Sequence, residues 1–367
     1  MTHYITPSLY TLLSIPSTAD NPNALALAVS ELKKNVKRHP GVTIEEFNVQ
    51  GKPSFLAYFG SKRPKRFTVL LNGHVDVVPA TADQFVPKVK KGRLYARGAL
   101  DMKAASYIMT EVFCEVAPKL TQPVGLQIVS DEEVGGIHGT AAQLSAGVYA
   151  DLAVFGECTP SAGICTESRG ICWVRLTFTG KAAHGAYPWR GDNAVVQASN
   201  CIQNVLKHYP VPDSEAWTTT ANIATIQTPN KTANKVPGQA TMEVDIRFVP
   251  EDRTFTSRAR VQALFRRLAP GAEVEILMLE PGTYADPSDP LITKLATAVS
   301  NAYARPATFI RKYGGFDGRY YHAKGMPALS LGLQGEGLHS AEEYAELESL
   351  NRYWEALRLF LYRSNHP

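Results

Sequence analysis

The 367-residue sequence has no apolar stretch approaching the ~20 residues that a membrane-spanning helix needs. Its first residues, MTHYITPSLYTLLSIPSTAD, lack a basic start followed by a long apolar core, so no signal peptide is expected. Its five cysteines are an odd number and form no C-x-x-C pair, which argues against a disulfide framework. Reduced, mostly buried thiols in a cytoplasmic protein are the expectation. No G-x-G-x-x-G or P-loop follows the first strand of the α/β pattern, which removes the usual phosphate-binding enzymes. G-x-S-x-G is also missing, which removes the common serine hydrolase. There are no repeats or low-complexity tracts. The net charge of +4 is scattered. Lys33, Lys34, Lys37 and Arg38 cluster, but on the polar face of a predicted helix and without interleaved aromatics, so no nucleic-acid partner is expected.

What remains is an ordinary globular composition, 44% hydrophobic and 20% charged, in a chain long enough for two domains. The run Phe67–Leu71 reads as a buried strand and leads into LNGHVDVVPA, in which His74 and Asp76 lie two residues apart. Side chains alternate along an extended chain, so these two point the same way. An imidazole beside a carboxylate suits a metal ligand whose second nitrogen is held by an acid.

Amphipathic spacing of Leu25, Val29, Leu32 and Val36 predicts a helix over 21–38, followed by strands at 42–49 and 54–59. Asp101 is expected to cap a helix over 102–116. Strands at 124–129 and 152–155 deliver Ser130-Asp131-Glu132-Glu133 and Gly156-Glu157, with a helix at 138–144 between them. Alternating strands and helices predict an α/β fold with a mainly parallel sheet covered on both faces. Ligand sites in such sheets lie beyond the carboxyl ends of the strands.

From about residue 169 the order becomes β-α-β-β-α-β, a ferredoxin-like α+β unit expected over 169–282. The α/β pattern then resumes, with helices at 291–303, 319–323 and 341–362 and strands at 308–312 and 328–331. Residues 1–168 and 283–367 are therefore expected to form one discontinuous catalytic domain.

His74, Asp101, Glu133, Glu157 and His339 make a coherent set for two divalent metals, one Asp bridging and each metal taking one His and one further carboxylate. Zinc accepts these donors, and cobalt or manganese would also fit. Two such ions activate a water. Glu132, next to Glu133, is available as the general acid/base.

The motifs HVDVVP, GRLYARGALDMK, SDEEVGG, FGEC and LHSAEEY resemble, in that order, those of the dinuclear-zinc aminoacylase/carboxypeptidase family, which includes acetylornithine deacetylase and succinyl-diaminopimelate desuccinylase. The resemblance implies that His74 and Glu157 bind one zinc, that Glu133 and His339 bind the other, and that Asp101 bridges them through a segment whose bond to Met102 is often cis. It implies that Asp76 orients His74 and that Glu132 is the catalytic base. It makes the inserted domain a lid that commonly also forms a homodimer. In GKAAHGAYP, His184 matches a histidine that stabilises the oxyanion. Asn234 and Arg247 match residues that hold the substrate carboxylate, and Gly314 and Gly315 match a glycine-rich loop at the substrate site. The six other histidines, at 3, 39, 138, 208, 322 and 366, are expected to be structural or surface residues.

Three departures stand out. Cys158 follows Glu157 where a proline is usual. Ser168-Arg169 replaces the paired arginines typical of diaminopimelate desuccinylases. Phe316 takes the place of a small polar residue, which predicts a more apolar side-chain pocket. The expected activity is deacylation of an N-acyl amino acid, with a dipeptide or carboxypeptidase substrate as the alternative, and a metal-less binding protein on the same fold as a third.

Overall fold

The computed structural model describes residues 6–365; His3 and His366 lie outside them. The chain divides into two compact units, one of 1–167, 284–311 and 316–367 and another of 168–283 and 312–315. The second therefore takes in Gly314 and Gly315.

The first unit is built on an eight-stranded sheet. Its order is Val42–Val49, Lys52–Phe59, Val124–Val129, Phe67–His74, Ala150–Phe155, Ala328–Ser330, Gly163–Ser168, Thr308–Lys312. The centre is parallel: Phe67–His74 runs with both Val124–Val129 and Ala150–Phe155, and Ala328–Ser330 runs with Ala150–Phe155. The first strands pair antiparallel. Strands buried on both faces read as continuous apolar runs rather than alternations. Val124–Val129 is buried at every position, and Phe67–His74 at all but one.

Helix Pro22–Lys37 starts where the Asn21 side chain accepts from Ala24 N–H at 3.1 Å, with proline in the first turn, and ends on Lys34 and Lys37. Helix Lys103–Val116 is buried along nearly its whole length. It packs with Leu347–Ser364, Pro22–Lys37 and the sheet in the largest apolar cluster. Each fully buried Leu or Phe there contributes about 1.5–3 kcal/mol.

Three expectations are corrected. The final helix begins at Leu347 rather than 341, because Tyr344–Glu346 instead pairs antiparallel with Arg93–Tyr95. With Lys88–Lys90 and Gly335–Glu336 these make a small four-stranded sheet. The cap of helix Lys103–Val116 is Met102, with no side-chain cap bond, so Asp101 does not cap it. Phe316 does not line an open pocket either. It is 1% exposed, its ring edge-on to Phe155 at 5.2 Å within an apolar cluster.

The second unit is a four-stranded antiparallel sheet in the order Thr220–Gln227, Gln239–Phe248, Gly170–Thr179, Glu273–Glu280. Helices Ala194–His208 and Arg258–Leu268 join the inward residues of these strands in one core, the ferredoxin-like arrangement. The alternation is plain on Gln239–Phe248, where Ala240, Met242, Val244, Ile246 and Phe248 are buried. Among the described residues, no helix is long and apolar enough to cross a membrane.

Candidate active site

Three neighbouring parallel strands bring the key acids and the first imidazole together. Val124–Val129, Phe67–His74 and Ala150–Phe155 are adjacent, and His74 stands level with Val129. Parallel strands lie ~4.8 Å apart, so residues just past their ends become neighbours. Glu132 and Glu133 follow the first, His74 ends the second and Glu157 follows the third. The helix start at Lys103 leans on this edge, with Ser106 Oγ donating to His74 O at 2.7 Å.

The Asp101 carboxylate lies between two imidazoles. One oxygen is 3.3 Å from His74 Nε2 and the other 3.2 Å from His339 Nε2. Glu157 Oε1 is 3.7 Å from His74 Nε2, and Glu133 Oε2 is 3.5 Å from His339 Nε2. Candidate ligand atoms of His74, Asp101 and Glu133 lie within 4.8 Å of one another, as do those of His74, Glu132 and Glu157. Glu132 thus stands among the ligand candidates rather than beside them. The Asp101–Met102 peptide bond is cis.

Asp76 holds two of these residues at once. His74 Nδ1 is 3.0 Å from Asp76 O and 3.4 Å from its Oδ1, while Asp76 Oδ2 accepts from Glu133 N–H at 2.9 Å. With Nδ1 occupied, Nε2 is the nitrogen left facing Asp101.

The electrostatics show an excess of negative charge. Burial disfavours the charged form of His74, yet hydrogen bonds to Asp101 and Asp76 lift its pKa well above the usual histidine value. Hydrogen bonds to Asp101 and Glu133 push His339 up to about 10. Burial, then the charge of Glu157, pushes the Glu132 carboxyl well above the usual carboxylate range. Four carboxylates against two imidazoles, all hard nitrogen and oxygen donors, form a well that a divalent cation fits.

A group that the sequence reading passed over supports the Glu132–Glu133 loop. Arg319 Nη2 and Tyr320 Oη both donate to Gly135 O, at 2.7 and 2.5 Å. Arg319 is paired with the wholly buried Asp317 at 3.4 Å. The signal lies in YGGFDGRYY, where the acid Asp317 and the base Arg319 stand two residues apart.

The remaining candidates belong to the second unit. His184 is exposed, on a two-residue strand paired with Lys235–Val236, and its Nδ1 accepts from Ala186 N–H at 3.1 Å. Asn234 precedes Lys235, the residue opposite His184, and its carbonyl accepts from Gly185 N–H at 2.7 Å. Arg247 lies towards the far end of strand Gln239–Phe248, and its Nε donates to both oxygens of Asp245 at 3.0 and 3.2 Å. Gly314 and Gly315 are exposed. The structure thus brings His184 and Asn234 together but not Arg247 with them. Of the other histidines, His208 is exposed, His39 is half-buried, and His322 Nδ1 accepts from Tyr284 N–H at 3.5 Å. None of the five cysteines is in a disulfide, and all but Cys158 are buried.

A parallel-centred sheet that gathers imidazoles and carboxylates at its strand ends defines a class, the metal-binding hydrolases. Residues 70–363 match the family described as Peptidase family M20/M25/M40, and the chain belongs to that family of amide-bond hydrolases. It is 27% identical over 350 residues to the succinyl-diaminopimelate desuccinylase of Sphingopyxis alaskensis, covering 88% of this chain and 89% of that one. Its fold is similar to the aminopeptidase PepT of Bacillus cereus, with a TM-score of 0.81 at 18% identity over 99% of both chains. It is also similar to the YXEP protein of Bacillus subtilis, described as a dinuclear metal binding peptidase, with a TM-score of 0.70 at 17% identity over 96% of both.

Proposed function

We propose that this protein deacylates an N-acyl amino acid, in the manner of an acetylornithine deacetylase. The observation that carries the reading is the Asp101 carboxylate shared between His74 and His339, with half-buried Glu132 beside the same imidazole. The extended similarity to a desuccinylase, itself an N-acyl amino acid hydrolase by name, supports deacylation over peptide cleavage.

His74 and Glu157 would hold one divalent cation, Glu133 and His339 the other, and Asp101 both. Zinc is the proposed metal, with cobalt or manganese as substitutes. When bound, such a pair supplies polarisation of the scissile carbonyl and a lowered pKa for the attacking water. Glu132 takes that water's proton as its oxygen joins the carbonyl carbon. It returns the proton to the nitrogen as the C–N bond breaks, releasing acid and amine. A carboxyl whose burial favours the protonated form is suited to hold the proton between these steps. Asp76 keeps His74 and Glu133 aimed.

From the second unit, which we read as a lid and the dimerisation surface of a homodimer, His184 donates to the developing oxyanion. Asn234 and Arg247 hold the substrate carboxylate, and Gly314 and Gly315 line its path.

Amine release and mass spectrometry on a pool of N-acetyl amino acids, N-succinyl diaminopimelate and dipeptides test this, comparing zinc-loaded with chelator-treated protein. Metal-dependent loss of N-acetyl species is the expected result. Consumption of dipeptides alone would make the protein a peptidase. Two bound metals with no cleavage would favour a binding role.

A further inference from the structure

We propose that Glu343 and Arg97 are positioning residues that clamp the loop carrying Asp101 to the loop carrying His339. The inference rests on the two-metal reading above. Glu343 is only 2% exposed. A carboxylate so buried needs its lone pairs filled. One oxygen accepts three backbone N–H groups of the loop: Gly98 at 3.0 Å, Leu100 at 2.9 Å and Asp101 itself at 3.2 Å. The other oxygen is paired with the Arg97 guanidinium. Charge-assisted bonds of this kind are the strong ones, and here they fix the backbone from which the Asp101 side chain projects.

Arg97 is equally buried and reaches the opposite loop. Its Nη2 donates to Ser340 O at 3.0 Å, and Gln84 Nε2 donates to the same carbonyl at 3.0 Å. Ser340 follows His339, whose backbone lies in the left-handed region at φ +60°. A non-glycine residue stays there only where its surroundings over-determine it. The two bonds to the next carbonyl provide that restraint. The small sheet brings the segments together, pairing Tyr95 with Tyr344 and Leu94 with Ala345. The clamp therefore joins positions 246 apart in the chain and ends on Asp101 and His339. No bond of it reaches His74 or Glu157, which are held by Asp76 and the strand ends.

Asp101 is shared by both proposed metals, and that gives the test. Outer-shell partners of metal ligands are worth roughly 10–100-fold in metal affinity. Metal-free protein is titrated with Co²⁺, and its visible absorption is followed against a competing chelator. The wild type is expected to take up two equivalents. In Glu343→Gln both equivalents, which share Asp101, should lose roughly 10–100-fold in affinity. Arg97→Gln keeps the three amide bonds of Glu343 but removes one of the two bonds to Ser340 O, and should weaken binding in the same direction. It carries the test by itself if Glu343→Gln fails to fold. Weakening that comes with a loss of the folded far-UV circular-dichroism spectrum would reduce the pair to general structural support, and unchanged binding of both equivalents would overturn the clamp. Fewer than two equivalents in the wild type would fail the two-metal reading and the clamp with it, so the two failures are separable.

Discussion

The strand-end cluster of the first unit and the candidate residues of the second treat their polar groups in opposite ways. His74 is 1% exposed and faces Asp76, Asp101 and Glu157. Its carboxylate neighbours crowd a single imidazole, and against burial the hydrogen bonds to Asp101 and Asp76 raise its pKa, as those to Asp101 and Glu133 raise that of His339. Such an arrangement costs stability and is kept where a cation or a reaction uses it. In the second unit each group is satisfied locally. His184 accepts from its own turn, Asn234 bonds through its backbone and Arg247 is neutralised by Asp245. Asp245 also accepts from Trp173 Nε1 at 2.9 Å. The first region carries a chemical demand within itself, whereas the second acquires one only with a substrate.

The comparison is most sharply tested by Glu132→Gln. The amide keeps the shape but cannot accept the water's proton, so turnover should fall by roughly 10²–10⁴-fold. Metal content, read by elemental analysis, should stay at the wild-type value, since Glu132 is not among the five proposed ligands. Loss of metal together with turnover would instead make Glu132 a ligand, the role its proximity to His74 and Glu157 allows. Near-wild-type turnover would remove it as the base. His184→Ala should have the next largest effect, lowering kcat by roughly 10²–10³-fold, the usual worth of one oxyanion donor. Its metal content and thermal midpoint should hold, because its ring accepts only one local bond. An unchanged kcat would leave His184 as a turn residue.

How much was legible in the sequence follows the reach of each interaction. His74 and Asp76 could be read because strand alternation is local, and Glu132, Glu133 and Glu157 because short apolar runs mark the strand ends. Asp101 was misread locally as a cap, since acids are favoured at helix starts. Its carboxylate turns instead towards two histidines, one of them 238 residues away. The start of the last helix was misplaced for the same reason, because pairing of Tyr344–Glu346 with Arg93–Tyr95 overrides helical spacing. Glu343 with Arg97, and Arg319 with Gly135, join segments 246 and 184 residues apart. No periodicity encodes such pairs. Phe316 failed differently: a motif position fixed its place in the chain but not the direction of its ring, which the Phe155 cluster decides.

The smallest effect is expected at Arg247, and it bears on the weaker half of the comparison. Its Nε is engaged by Asp245, so substrate binding would fall to the terminal nitrogens of the guanidinium. Arg247→Lys keeps the charge but loses the planar fork that matches a carboxylate in two places. KM should rise about tenfold, the order of one charge-assisted hydrogen bond, with kcat nearly unchanged, because uniform binding is lost rather than transition-state stabilisation. The ion pair with Asp245 is partly exposed, with side chains 30% and 26% accessible, and pairs of that kind contribute about 0–1 kcal/mol. The thermal midpoint should therefore move little. A lowered midpoint with KM unchanged would reverse the assignment, making Arg247 a structural partner of Asp245 and Trp173 and leaving the substrate carboxylate to another group on the second unit.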